Sequence, residues 1–188
     1  AVPLQPVSTF GRNGVDWHNQ LILGDNLQAM KTLLQMKERG ELVNADGTPG
    51  VRLIYIDPPF ATKKEFRGSQ DQKAYQDKIA GAEFLEFLRK RLVLLKALLS
   101  KDGSIYVHLD WKKAHYVKVL MDEIFGEQNF VREIIWRIGW VSGFKSIANN
   151  WIRNHETILF YSKDTKSLIF NKMHLPYPKG YERWGGRE

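Results

Sequence analysis

The chain has 188 residues, of which 43% are hydrophobic and 26% are charged. This composition can fill the core of one globular domain, and it excludes intrinsically disordered and fibrous chains. The net charge of +7 fits a polyanionic partner or a solvated basic face, and the absence of Cys excludes disulfides and Cys-ligated zinc. Neither a signal peptide nor a long apolar run is evident, so we expect a cytoplasmic protein with no membrane segment.

The first half of the chain predicts an arm, a helix and a strand. Residues 1–17 are rich in Pro, Gly and polar side chains, which predicts a loosely held arm. Residues 21–24 (Leu-Ile-Leu-Gly) predict a short strand and a tight turn, and Asp25 then predicts the N-cap of a helix. Residues 51–56 predict a buried strand that ends at Asp57-Pro58-Pro59, because proline cannot continue a ladder.

The second half alternates predicted helices and strands. Leucines spaced by three and four predict a helix that begins at Glu83 and closes at Lys101-Asp102-Gly103. The other predicted segments are a mobile loop at 61–82, strands at 104–109, 131–136 and 157–161, and a helix at 112–125. This alternation predicts an α/β fold with a mainly parallel sheet and helices on both faces, which binds ligands beyond the carboxyl ends of its strands.

Asp57-Pro58-Pro59-Phe60, at the end of a predicted strand, is the most informative group of residues. A carboxylate, a carbonyl fixed by proline geometry and an aromatic ring converge there, and together they suit a planar amine. For these four residues taken alone, an ordinary strand-ending turn is the favoured interpretation.

Residues 17–163 as a whole resemble the amino-methyltransferases of DNA. The resemblance is to the permuted β class, which includes the modification subunits of type III restriction systems. The matching segments are 21–27, 53–60, Tyr75, Asp77, 91–92, 98–99, 102–105, 123–126, 129–131, 134–136 and 154–159. The order of so many matches makes the resemblance specific, and it implies a Rossmann-like methyltransferase sheet.

The resemblance implies methyl transfer from S-adenosylmethionine to an exocyclic amine of a flipped DNA base. An Asp at the head of the motif implies adenine N6, whereas Ser implies cytosine N4, so Asp57 favours adenine and leaves cytosine N4 as an alternative. The implied catalytic residues are Asp57, Pro58, Pro59 and Phe60. The implied cofactor-binding residues are Asp25, Asn26 and Asp57, although a plain N-cap explains Asp25 almost as well.

Two basic and aromatic segments are candidates for contacts to DNA. Stacking and phosphate neutralisation would suit the connector before residue 154 and the loop that follows the motif. Their candidate residues are Trp140, Lys145, Trp151 and Arg153 in the connector, and Lys63, Lys64 and Arg67 in the loop. Packing of the connector on the core and a solvated charged loop are the alternatives.

One departure from the family sets the expected domain organisation. The Phe-x-Gly-x-Gly cofactor loop of the class is absent from the 188 residues. We therefore expect the amino-terminal part of a larger enzyme: an arm (1–17), the base-binding half of a catalytic domain (18–163) and an extension toward a target-recognition region (164–188). A restriction subunit or a second copy of the chain is a candidate partner besides DNA.

Two further functions remain as alternatives. The missing cofactor loop favours a catalytically incomplete paralogue that only binds DNA. A metal-dependent nuclease could use Asp57, Asp110 and Lys112, but Asp110 falls past its strand, and we predict no metal site. His108 and Asp110 are interpreted as polar residues at a strand end, without a functional role.

Overall fold

The computed structural model describes residues 4–5, 19–59, 82–139, 147, 149–174 and 176. These residues form three α-helices and four strands. In chain order they are α1 (Asn26–Glu38), β1 (Val51–Ile56), α2 (Ala82–Leu98), β2 (Leu99–Leu109), α3 (Ala114–Phe125), β3 (Phe130–Arg137) and β4 (His155–Ser162). Most of the predicted arm (1–17) and most of the predicted loop (61–82) lie outside the described residues.

The four strands form one mixed sheet in the order β1-β2-β4-β3. β1 pairs with β2 in parallel, whereas β4 is antiparallel to both β2 and β3. It follows that β1, β2 and β3 run in one direction and β4 runs in the other. The predicted common direction therefore holds for three strands, but only one of the three pairings is parallel.

The three helices line up on one face of this sheet. α2 packs between α1 and α3, and the core they share includes alternate strand residues such as Ile54, Ile105 and Leu159. On the other face Leu53 is 61% exposed and Tyr55 57% exposed. Among the described residues the expectation of helices on both faces is therefore wrong. β1 is buried on one side only, because no helix covers its second face there.

The predicted end of the second helix is also wrong. α2 ends at Leu98, and β2 begins at the next residue, so Lys101-Asp102-Gly103 lies within a strand. The ammonium group of Lys37 donates to the carbonyls of Ala97 (2.5 Å) and Leu99 (2.8 Å), and that of Lys163 also donates to Leu99 (2.7 Å). These lysines satisfy carbonyls at the helix end that a glycine cap would otherwise serve.

The predicted strand at residues 21–24 does not form. The side chains of Leu21 and Leu23 are fully exposed, at 97% and 101%. A strand needs a neighbour for its backbone N–H and C=O groups, and this segment pairs with none of the described strands. It leads instead into α1, where the Asp25 carboxylate accepts from the backbone N–H groups of Leu27 (3.0 Å) and Gln28 (3.1 Å), as the predicted N-cap requires.

Candidate active site

A cleft of about 640 Å³ opens at the carboxyl end of β1, beside the start of α1 and one side of α2. Its volume falls within the usual range for small-molecule sites. The walls combine apolar side chains with a few charged and polar groups. The lining residues are Gly24, Asp25, Asn26, Met30, Ile56, Asp57, Pro58, Pro59, Phe87, Leu88, Arg91 and Leu95.

Asp57, Pro58 and Pro59 form one wall of the cleft. They follow directly on the last residue of β1, and the two prolines end the ladder there. Asp57 is exposed, Pro58 is buried and Pro59 is half-buried, so the carboxylate is open to a ligand while the turn behind it is packed. Phe60, the fourth predicted catalytic residue, lies outside the described residues.

Asp25 and Asn26 belong to the opposite wall, at the first turn of α1. The chain therefore folds so that all three predicted cofactor-binding residues, Asp25, Asn26 and Asp57, line one cleft although up to 32 residue numbers separate them. One oxygen of Asp25 caps α1, which fixes the orientation of the carboxylate. The cap and a ligand contact are compatible, because a carboxylate has about four acceptor sites.

Arg91 is a cleft residue to which sequence reasoning assigned no site role. Its guanidinium stacks on the Phe87 ring at 3.4 Å from the centroid and donates from Nε to Asn26 Oδ1 at 2.9 Å. No carboxylate of the described residues pairs with it, so the cleft has a cation available to an anionic group of a ligand. The spacing of Phe87 and Arg91 by four on a predicted helix was the signal in the sequence.

A hydrogen-bonded chain of three side chains crosses the sheet near the cleft, on its helix-free face. Tyr55 Oη lies 2.8 Å from His108 Nδ1, and His108 Nε2 lies 2.8 Å from Glu156 Oε2. An ionised carboxylate only accepts, so Nε2 carries the proton, and in the neutral ring Nδ1 then accepts from the Tyr55 hydroxyl. His108 therefore links β1, β2 and β4, and its lack of a catalytic role stays a prediction.

Asp110 holds the start of α3. Its Oδ1 accepts from the backbone N–H groups of Lys112 (3.0 Å) and Lys113 (3.1 Å), and its side chain is buried. These two bonds use one oxygen of the Asp110 carboxylate to fix the turn that precedes α3. In the described part of the chain, no three His, Cys, Asp or Glu side chains are grouped so that they could hold a metal.

The predicted DNA-binding residues are only partly described. Trp151 is fully exposed, and Arg153 is half-buried with Nη1 shielded from solvent and without a hydrogen-bond partner in the described residues. The other members of the set lie outside the described residues: Lys63, Lys64, Arg67, Trp140 and Lys145. No helix in the described ranges combines the length and apolar character needed to cross a membrane.

Comparison with known proteins decides the family. A profile of the DNA methylase family (N6_N4_Mtase) matches residues 51–183, which is more than half of the chain and includes Asp57. The chain belongs to the DNA methylase family. The predicted resemblance is thereby confirmed at the level of the family.

Several relatives are DNA-modifying enzymes. The chain is 35% identical to the type II methyltransferase M.EcaI of Enterobacter cloacae over 90% of its own length. It is 34% identical to the probable type III restriction-modification enzyme HindVI Mod subunit of Haemophilus influenzae over 86% of its length, and 31% identical to the EcoP15I Mod subunit of Escherichia coli over 79%. It spans 34%, 20% and 25% of these three relatives, respectively.

A solved structure supports the fold. The M1.HpyAVI–SAM complex matches 87% of this chain with a TM-score of 0.50 and 17% sequence identity, and the match covers 60% of that chain. The α/β, Rossmann-like class predicted from the sequence is confirmed by this likeness and by the three strands with a common direction.

Proposed function

We propose that this chain is the base-binding part of a DNA methyltransferase that transfers a methyl group from S-adenosylmethionine to adenine N6. The observation that carries the proposal is the convergence of Asp57 and Pro58 with Asp25 and Asn26 on one cleft. Membership of the DNA methylase family and the names of the relatives support it. Residues 18–163 would form this half of the catalytic domain, and 164–188 would lead toward a target-recognition region.

The cleft fits S-adenosylmethionine in size and chemistry. The carboxylates of Asp25 and Asp57 can accept from the amino groups of the cofactor, and the Arg91 guanidinium can pair with its carboxylate. Phe87, Met30 and Leu88 can supply apolar surface for its adenine ring and methylene groups. When bound, the cofactor supplies a methyl group activated by a sulfonium.

The residues after β1 would activate the target amine. The Asp57 carboxylate and the Pro58 carbonyl can each accept from one N–H bond of an exocyclic amine, which directs the nitrogen lone pair away from them. Asp57 would also stabilise the positive charge that develops on that nitrogen during transfer. Phe60 would stack on the base. This mechanism needs no covalent enzyme intermediate, so it is compatible with a sequence that has no Cys.

The choice of adenine N6 as the methylated amine rests on Asp57 at the head of the motif, and cytosine N4 is the alternative. A second candidate function is a DNA-binding paralogue without catalysis. Two of the relatives are Mod subunits of type III restriction-modification enzymes, so we propose a restriction subunit as a partner.

The test is to identify the methylated nucleoside. A polypeptide that contains this chain is incubated with duplex DNA and S-adenosylmethionine carrying a labelled methyl group, and the DNA is then digested to nucleosides. Label on N6-methyladenine supports the proposal. Label on N4-methylcytosine would overturn the choice of base, and DNA binding without any label would favour the binding-only paralogue.

A further inference from the structure

The turn that joins β2 to α3 carries an exposed cluster of aromatic and basic side chains. Trp111 is 52% exposed, Tyr116 is 59% exposed and Lys112 is exposed, with Lys113 half-buried between them. We refer to Trp111, Lys112, Lys113 and Tyr116 as the basic-aromatic patch. Large exposed aromatics beside cations are typical of surfaces that bind a partner.

The positive charge of the patch is uncompensated. In the described residues neither Lys112 nor Lys113 has a carboxylate within 4.0 Å, and the first turn of α3 contains no acidic residue. Lys118, further along α3, is by contrast paired with Asp122 at 2.7 Å. The two free ammonium groups lie near aromatic rings, with Lys112 Nζ 6.0 Å from the Trp111 centroid and Lys113 Nζ 5.6 Å from that of Tyr116.

The backbone under the patch is held in place. Asp110 is buried, its Oδ1 accepts from the backbone N–H groups of Lys112 and Lys113, and its carbonyl accepts from Ala114 N at 3.1 Å. The patch is therefore presented by a fixed turn and the first turn of a helix. A surface that is ordered before binding loses less conformational entropy when a partner binds.

The patch lies on the same edge of the sheet as the candidate active site. β1 and β2 are parallel neighbours, and Ile56 at the end of β1 lies opposite Val107 in β2. Asp57 and Pro58 continue from β1 at this edge, and β2 reaches it at Leu109, two residues before Trp111. Adjacent strands are about 4.8 Å apart, so the segment after β1 that carries Asp57 and the segment after β2 that carries the patch leave the sheet side by side.

We propose that the basic-aromatic patch binds the sugar-phosphate backbone of DNA next to the base held at Asp57. This inference rests on the proposed function, which supplies DNA as the polyanion. Lys112 and Lys113 neutralise phosphates, and Trp111 packs against a sugar or an unstacked base. The patch adds contacts on the turn between β2 and α3, and on the first turn of α3, to those predicted for the loop and the connector.

Salt-dependent binding tests the role of the lysines. The affinity of the 188-residue chain for a fluorescent duplex is measured by anisotropy over a series of salt concentrations. The double variant Lys112→Gln/Lys113→Gln should weaken binding. It should also reduce the slope of log K against log salt by about 1 to 2 in magnitude, because each phosphate contact that is lost removes the release of about 0.9 counterion. The matched control is Lys101→Gln/Lys166→Gln, which removes the same charge at the opposite edge of the sheet.

The role of Trp111 is tested by an effect on affinity that does not depend on salt. Trp111→Ala should weaken binding by about fivefold or more without changing the salt slope, because stacking releases no counterions. Trp111 and Lys112 are exposed and Lys113 is half-buried, and circular dichroism melts verify that the variants fold. Equal effects of the patch and control variants would overturn the proposal, as would a wild-type chain that does not bind DNA.

The outcomes separate this inference from the proposed function. If patch variants lose affinity but no methyl group is transferred by a polypeptide containing the chain, the DNA surface stands and the catalytic proposal fails. If adenine is methylated and the patch variants bind DNA like the control variant, the catalytic proposal stands and the DNA surface at the patch is wrong.

Discussion

Glu156 Oε2 lies 2.8 Å from His108 Nε2, and this contact ties the amino end of β4 to the carboxyl end of β2. The other ring nitrogen of His108 reaches Tyr55 in β1, so one imidazole connects three neighbouring strands. The His108 and Glu156 side chains are only 14% and 24% exposed. Water therefore has little access to replace their hydrogen bond if one of the two side chains is substituted.

We expect His108→Phe to destabilise the fold by about 1 to 3 kcal/mol, because it leaves the mostly buried Glu156 carboxylate without its partner. Urea unfolding of the single variants His108→Phe and Glu156→Gln and of the double variant forms a thermodynamic cycle. Strictly additive effects would show that the two side chains are not coupled.

Lys163 should give the protein an unusual stability gain at alkaline pH. Burial, and then the nearby ammonium groups of Lys37 and Lys96, lower the pKa of Lys163 to about 8 from its ordinary value of 10.5. The folded state then holds fewer protons than the unfolded state between these two values, so this group makes the free energy of unfolding rise with pH from about 8 to 10.5.

The measurement is chemical denaturation at several pH values up to about 9.5, below the range in which tyrosines ionise. Burial beside Asp122 raises the pKa of Tyr161, which would lower stability only at higher pH. Lys163→Gln should abolish the rise, and Lys101→Gln at an exposed site should keep it. A wild-type stability that is flat or falling from pH 8 to 9.5 would contradict the assignment.

The core under the sheet can be tested with two neighbours on α2. Leu92 is 0% exposed, whereas Val93, the next residue, is 51% exposed. We expect Leu92→Ala to lower the free energy of unfolding by about 2 to 5 kcal/mol through lost burial and a residual cavity. Val93→Ala should cost less than about 1 kcal/mol, since it leaves no cavity. Similar losses in thermal or urea unfolding would mean that α2 faces the sheet differently.

Local patterns predicted most of the elements. The Asp25 cap, the leucine spacing before residue 98 and the prolines after Ile56 each depend on neighbours in sequence, and each prediction matches the structure there. The boundary at Leu99 was missed, because the lysines that satisfy its carbonyl come from α1 and from the end of β4. Such long-range partners leave no periodic signal.

Local sequence patterns also could not predict the strand order or the hydrogen bonds that link Tyr55, His108 and Glu156 across the sheet. Nothing in the composition of residues 155–162 shows that β4 inserts between β2 and β3 in the reverse direction. His108 meets partners 53 and 48 residues away, and this depends on that strand order. The positions of Asp57 and Asp25 at the cleft were in contrast predictable, because the carboxyl end of a strand before Asp57 and the N-cap at Asp25 are both local features, whereas Arg91 was missed.

The central claim is that Asp57 activates an adenine amine for methyl transfer. The most direct measurement is the single-turnover transfer of a labelled methyl group to duplex DNA by a polypeptide containing the chain. Asp57→Asn is compared with the wild type. The control variant is Glu38→Gln, which removes an exposed charge at the end of α1. The account predicts that Asp57→Asn lowers the transfer rate by roughly a hundredfold or more, because a neutral amide cannot stabilise the developing positive charge, while Glu38→Gln transfers normally. An unchanged transfer rate for Asp57→Asn would contradict it.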